Sequence, residues 1–123
     1  MGRLESGREQ LRRKPDVGAT AFTALDIRAG RVASVEEFPE AREPAYRVAV
    51  DFGPAVGVLT TSAQITNYSL EELEGRMVVG AINLGKKRIA GFESEFLILG
   101  ALSGGIVRLL AVEEGVEPGA PIA

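Results

Sequence analysis

Residues 45–53 read Ala45-Tyr46-Arg47-Val48-Ala49-Val50-Asp51-Phe52-Gly53. Tyr46, Val48, Val50 and Phe52 fall on one face, and Arg47, Ala49 and Asp51 on the other. Side chains alternate across a β-strand, so this period of two predicts an antiparallel strand with one buried face. Gly53-Pro54 turns the chain, and Val56–Thr61 returns as its partner. The pair is expected to form a hairpin on which the other elements assemble.

Upstream, Leu25–Val35 is strand-like, but its apolar phase shifts across Gly30: Ile27 and Ala29 alternate, then Val32 falls out of step. A glycine at a phase change predicts a bulge or sharp bend there. Glu36–Pro44 reads as a loop. Downstream, Ser69–Gly75 is a short helix with both ends marked. Ser69 and Glu72 have capping-box spacing, and Gly75 supplies the stop. Met77–Leu84 is strand-like, Gly85–Ser94 is a polar hook, and Phe96–Leu102 is a buried strand. Ser103-Gly104-Gly105 turns into a last strand, Ile106–Val112. The tail Glu113–Ala123, with Pro118 and Pro121, reads as extended.

The order is three strands, a short helix, then three strands. This predicts an all-β chain, a five-stranded OB-fold barrel with the helix between strands 3 and 4 and added terminal strand elements. Strand count alone leaves a generic sandwich as the competing architecture. The barrel domain is expected over residues 21–123. Residues 1–20, with five basic and three acidic side chains, read as a basic flexible arm.

Composition narrows the chemistry. The 123 residues carry a net charge of −3 and contain no cysteine, histidine or tryptophan. Thiol nucleophiles, histidine general bases and zinc-hydrolase sites are excluded, and neither a metal nor a cofactor is expected. The acidic side chains show no metal-like spacing and read as solvated charge. No run approaches the roughly 18 apolar residues of a membrane span. Met1–Thr20 lacks the apolar segment of a secretory signal. A cytoplasmic, non-catalytic binding module with no membrane insertion is expected.

The hook holds the densest positive charge. Lys86, Lys87 and Arg88 are consecutive, and the 21–123 body has only nine cations against fourteen acidic residues. Clustered cations repel one another, and a nearby anion such as phosphate relieves that cost. Glu93 and Glu95 flank Ser94 and can position the hook by local pairing. Ser62, Gln64 and their neighbours follow the third strand and can hydrogen-bond phosphates or bases, or simply cap turns. Phe38, in the loop beside Arg42, is a candidate for stacking a base or lining a peptide pocket, or for folding back on the core. Tyr68, before the helix cap, is open to the same two readings.

Four ordered motifs carry a resemblance: Leu25–Gly30, Glu37–Arg42, Ser62–Thr66 and Arg88–Glu95. Together they resemble the CsaA branch of the tRNA-binding-domain family, which also includes a C-terminal extension of some methionyl-tRNA synthetases. The resemblance runs from about Phe22 to the C-terminus and implies an OB-fold, a homodimer and binding of tRNA by its structured outside. It also implies a link to protein export, as a chaperone-like binder of unfolded or precursor polypeptides. By residue type, Arg28, Arg42 and Arg88 match their motifs, and Ser62, Gln64, Asn83 and Ser94 lie in segments near the family's binding surface. Gly85-Lys86-Lys87 departs from a proline-containing stretch of the family but keeps the positive charge. The expected RNA contacts are therefore Arg28, Arg42, Ser62, Gln64, Asn83, Lys86, Lys87, Arg88 and Ser94. On the alternative reading, Phe38 lines a peptide pocket. Family likeness alone points to Phe22–Asp26 and the C-terminal tail as the dimer contact.

Overall fold

The computed structural model describes residues 11–123. The first ten residues of the expected arm lie outside that range. Residues 11–18 are exposed, and the arm's last two residues open a short helix, α1 (Ala19–Thr23). Then follow β1 (Ile27–Glu37), β2 (Tyr46–Asp51), β3 (Val58–Ala63), α2 (Leu70–Leu73) and β4 (Met77–Ala81). The chain continues through β5 (Lys87–Ile89), β6 (Phe92–Ser94), β7 (Leu97–Ile98), β8 (Gly100–Ser103) and β9 (Ile106–Leu109).

The alternation in β2 becomes burial as expected. Val48, Val50 and the following Phe52 are buried, while Asp51 is exposed. Antiparallel pairing gives a five-stranded sheet in the order β3-β2-β1-β4-β7. It curls because β1 serves two partners, β4 along Ile27–Arg31 and β2 along Arg31–Glu37. The edges meet where the Glu95 amide donates to the Thr60 carbonyl at 2.7 Å. The result is a nearly closed OB-like barrel, with α2 between β3 and β4 as the sequence predicts. The interior is filled by Val32, Val48, Val50, Phe52, Ile65, Leu73, Val78 and Phe96. Phe52 and Phe96 pack edge to face at 5.0 Å between centroids, a favoured geometry for buried rings.

Three local readings need correction. The break in β1 is not at Gly30. The register shifts between Val32 and Ser34, so the bulge sits around Ala33. Gly30 instead provides space, since a Cβ there would stand 2.6 Å from Val50 Cγ1. Secondly, Phe96–Leu102 is not one strand. It breaks at Leu99, so β7 stays on β4 while β8 leaves to pair with β9. Thirdly, the hook is a β-hairpin. β5 and β6 pair across Ala90-Gly91, both with positive φ (48° and 81°), which matches the twist of a two-residue hairpin turn.

The extended tail docks along the start of β1. Arg28 bridges Pro121, and the Ala29 and Ile122 amides donate to Ala120 and Ile27 carbonyls at 2.9 and 2.8 Å. Among the described residues, no helix is long and apolar enough to cross a membrane.

Candidate nucleic-acid interface

The 40–45 loop, the end of β3, the β5–β6 hairpin and the β7–β9 segment enclose an open groove of about 750 Å³. Its floor is apolar, formed by Ala45, Ala63, Ile65, Leu97, Ile98 and Val107 among others. Its rim is polar and charged. Arg42, Ser62, Gln64, Lys87, Arg88 and Ser94 all line it, together with Glu40 and Glu43. Six of the nine expected RNA contacts, scattered from residue 42 to residue 94, thus share one concavity.

The seam between β3 and the hairpin positions the rim. Thr60 Oγ1 donates to the Glu93 carbonyl at 3.0 Å, and the Thr60 amide donates to Glu95 Oε1 at 3.0 Å. Thr61 Oγ1 donates to the Phe96 carbonyl at 2.7 Å. Ser94 sits at the centre, 7% exposed, with its Oγ accepting from the Ser62 amide at 3.3 Å and lying 3.0 Å from Thr61 Oγ1. Its hydroxyl is engaged inside the wall. The seam holds Lys87 and Arg88 at the mouth, both largely exposed.

The hook's three cations differ in their surroundings. Lys86 Nζ lies 3.5 Å from Glu93 and 3.8 Å from Glu95. Arg88 Nη2 donates to the Gly91 carbonyl at 2.8 Å, and its Nη1 lies 3.9 Å from Glu93. Among the described residues, Lys87 has no ion pair, and it stands opposite Ser94 in the hairpin register. The pairing expected of Glu93 and Glu95 is therefore present.

Three expected contacts do not line the groove: Arg28, Asn83 and Lys86. Arg28 is three-quarters buried, paired with Asp26 at 2.7 Å and reaching the Gly119 carbonyl. Asn83 accepts from the Asp26 amide and donates to the Ala24 carbonyl, both at 2.8 Å. Both residues fasten the chain's entry and tail. Phe38 takes the fold-back course. It is 4% exposed, edge-on to Phe92 at 5.5 Å, with the Arg47 guanidinium 5.4 Å from its ring centroid. It touches a shallower depression with Pro39, Arg42 and Tyr46. Tyr68 is likewise structural, its hydroxyl accepting from the Leu109 amide at 3.0 Å.

Sequence reasoning did not single out Thr60 and Thr61. Hydroxyls in a strand carry no sign of a partner more than thirty residues away. The apolar floor also went unassigned, because Leu97, Ile98 and Val107 read as ordinary core. Among the described residues, no group of three or more acidic side chains is placed to hold a metal ion.

Comparison with known proteins agrees with the fold. The family model described as "Putative tRNA binding domain" matches residues 27–121. The CsaA chaperone protein of Picrophilus torridus superposes with a TM-score of 0.84 and 42% identity, covering 88% of this chain and all of that one. The chaperone CsaA of Bacillus anthracis superposes with a TM-score of 0.82 and 41% identity, covering 89% of this chain and all of that one. The methionine–tRNA ligase of Pyrococcus horikoshii is 33% identical over 120 residues, 98% of this chain but 16% of the ligase. That of Archaeoglobus fulgidus is 34% identical over 111 residues, covering 90% and 17% respectively. The chain thus spans about a sixth of the length of these curated relatives. The chain belongs to the tRNA-binding domain family, as a CsaA-type member.

Proposed function

We propose that this chain is a non-catalytic binder of structured tRNA, which it holds through the groove and its cationic rim. One observation carries this reading: the barrel gathers Arg42, Lys87 and Arg88 beside Ser62 and Gln64 around a single concavity. Lysine and arginine meet phosphates, and the neutral groups add hydrogen bonds without demanding one base. Structured RNA is read largely by shape, 2′-OH and phosphate contacts. The net charge of −3 confines that contact to the groove. The protein acts as a homodimer, in which two grooves raise avidity if their spacing suits the ligand. Phe22 and Leu25, apolar and 48% and 41% exposed in the segment that leads into β1, are with the C-terminal tail the contact assigned to that dimer. Its setting is the cytoplasm.

A second reading, binding of unfolded or precursor polypeptide, is favoured by the groove's apolar floor and by neighbours named as chaperones. Salt separates the two. Phosphate binding weakens steeply as salt rises because counterion release is lost, whereas apolar binding changes little. The test is titration of bulk tRNA and an unfolded polypeptide at two salt concentrations, with the native protein and Lys87→Ala/Arg88→Ala. The tRNA reading expects roughly tenfold weaker binding in the variant and a shallower salt slope. A variant that binds tRNA as tightly as the native protein removes it.

A further inference from the structure

Glu93 stands where a binder of polyanions gains nothing from a carboxylate. It lies directly across the hairpin from Arg88 in the strand register. Its Oε1 is 3.5 Å from Lys86 Nζ, and its Oε2 is 3.9 Å from Arg88 Nη1. One carboxylate thus faces two of the hook's three cations. Its backbone is fixed by pairing with Arg88 in the hairpin, and its carbonyl shares the Thr60 hydroxyl proton, at 3.0 Å, with Glu95 Oε1. Its side chain is 43% exposed, so an incoming ligand can reach and displace it.

We propose that Glu93 is a built-in competitor for the RNA phosphates, an internal counter-charge that sets how much anionic ligand the groove demands before it binds. This rests on the tRNA-binding reading above and deepens it. With Glu93 in place, Lys87 is free to take the first phosphate. A phosphate reaching Arg88 or Lys86 must displace a carboxylate that is already there, so the exchange gains little. A ligand presenting several phosphates in a fixed array overcomes the competition, and an isolated anion does not. Lys86 and Arg88 therefore stay closed to sparse anions, which can meet only Lys87, even though the three cations are consecutive.

The geometry also fixes the sign and size of the effect. Exposed ion pairs are individually weak, so removing this carboxylate tightens binding by a few-fold. The salt response changes in the same direction, because each additional phosphate neutralised steepens the slope of log K against log salt by about one.

Glu93→Gln tests the proposal. It keeps the side-chain shape and leaves the Thr60 hydrogen bond on the backbone. Bulk tRNA is titrated at several salt concentrations against the native protein, Glu93→Gln, Glu71→Gln and Lys87→Ala. Glu71 is exposed on α2, outside the groove lining, and its variant makes the same change in net charge. The expected result is about threefold tighter binding and a steeper slope for Glu93→Gln, with Glu71→Gln matching the native protein. Equal or weaker binding by Glu93→Gln overturns the competitor role, and so does an equal gain in Glu71→Gln, which would be a bulk-charge effect. If Lys87→Ala still weakens binding in either case, the groove reading survives that failure. If Lys87→Ala binds as the native protein does, the groove reading falls and the competitor role falls with it.

Discussion

The hydroxyls of Thr61 and Ser94 meet at 3.0 Å in the seam that closes the barrel, with Ser94 as donor. The direction follows from proton counting. Thr61 has one hydroxyl proton and commits it to the Phe96 carbonyl at 2.7 Å, leaving its oxygen to accept. Ser94 in turn accepts from the Ser62 amide. A single relay therefore runs from the β3 backbone through two hydroxyls to Phe96. Both residues are buried, at 2% and 7% exposure, so water cannot replace a lost partner.

Thr61→Val preserves shape and removes this relay. It strands the Ser94 proton and the Phe96 carbonyl, and is expected to cost about 1–3 kcal/mol. Urea unfolding monitored by circular dichroism checks this as a shift of the midpoint. Thr61→Ser retains the hydroxyl and separates the hydrogen bonds from the lost methyl group. A native midpoint in Thr61→Val would mean that side-chain hydrogen bonding does not hold the seam.

The seam also marks where sequence reading stops. The strands and the short helix are legible because their signals are local: alternation in Tyr46–Phe52, the capping box of Ser69 and Glu72, glycine at Gly75. Side chains that meet across long sequence separations leave no such trace. Thr61 reads as an ordinary strand hydroxyl, and Ser94 reads as an RNA contact, although its hydroxyl is engaged in the seam. Arg28 reads as an RNA-contacting cation until the tail folds back beside it, and the two readings of Phe38 are separated only when Phe92 and Arg47 enclose it. The hook was visible as charge but not as a hairpin, since three-residue polar strands lack an apolar face to show periodicity. Charge density singles out Lys86, Lys87 and Arg88, of which Lys87 and Arg88 line the groove and Lys86 does not. It could not predict which cations were already paired.

The glycines of the barrel wall give a second prediction. A Cβ on Gly30 would stand 2.6 Å from Val50 Cγ1 and 2.7 Å from Phe52 Cδ1. On Gly80 it would stand 2.9 Å from Phe96 Cδ2 and 3.0 Å from Phe52 Cζ. Neither glycine has positive φ, so space and not backbone conformation decides the cost. Gly30→Ala is expected to destabilise by about 2 kcal/mol, and Gly80→Ala by less, because its clashes are milder. The order of the two urea midpoints is the check, and a reversed order would show that the neighbours of Gly30 yield more readily than those of Gly80, although they stand closer.

The cap of α2 predicts a pH dependence. The Ser69 backbone amide donates to Glu72 Oε1 at 2.8 Å, and Ser69 Oγ accepts from the Glu72 amide at 3.1 Å. The hydrogen bonds from Ser69, backbone first, hold the Glu72 carboxyl below its ordinary value of 4.5. The folded pKa is lowered, so the stabilisation is fully present above that ordinary value. It is lost as pH falls through the lowered folded value. Glu72→Gln is therefore less stable than the native protein at neutral pH, and the difference closes in acid. Paired unfolding curves from neutral pH to below the carboxylate range measure this, and a gap that widens in acid would contradict the sign.

Asn83 and Lys87 lie four residues apart and are expected to control different things. Asn83 uses both ends of its amide to hold the chain entry, through Asp26 and Ala24. Lys87 stands on the groove rim. If the entry segment and tail form the dimer contact, Asn83→Ala loosens assembly, because the groups it pins belong to that contact. Light scattering across a dilution series is then expected to show dissociation at higher protein concentration than for the native chain. Lys87→Ala leaves that dissociation unchanged and weakens tRNA binding with a salt slope shallower by about one. Any tRNA loss in Asn83→Ala should disappear once the protein is concentrated enough to restore the dimer, since avidity and not a phosphate contact has been removed. A loss that persists in the restored dimer would return Asn83 to the RNA-contacting surface.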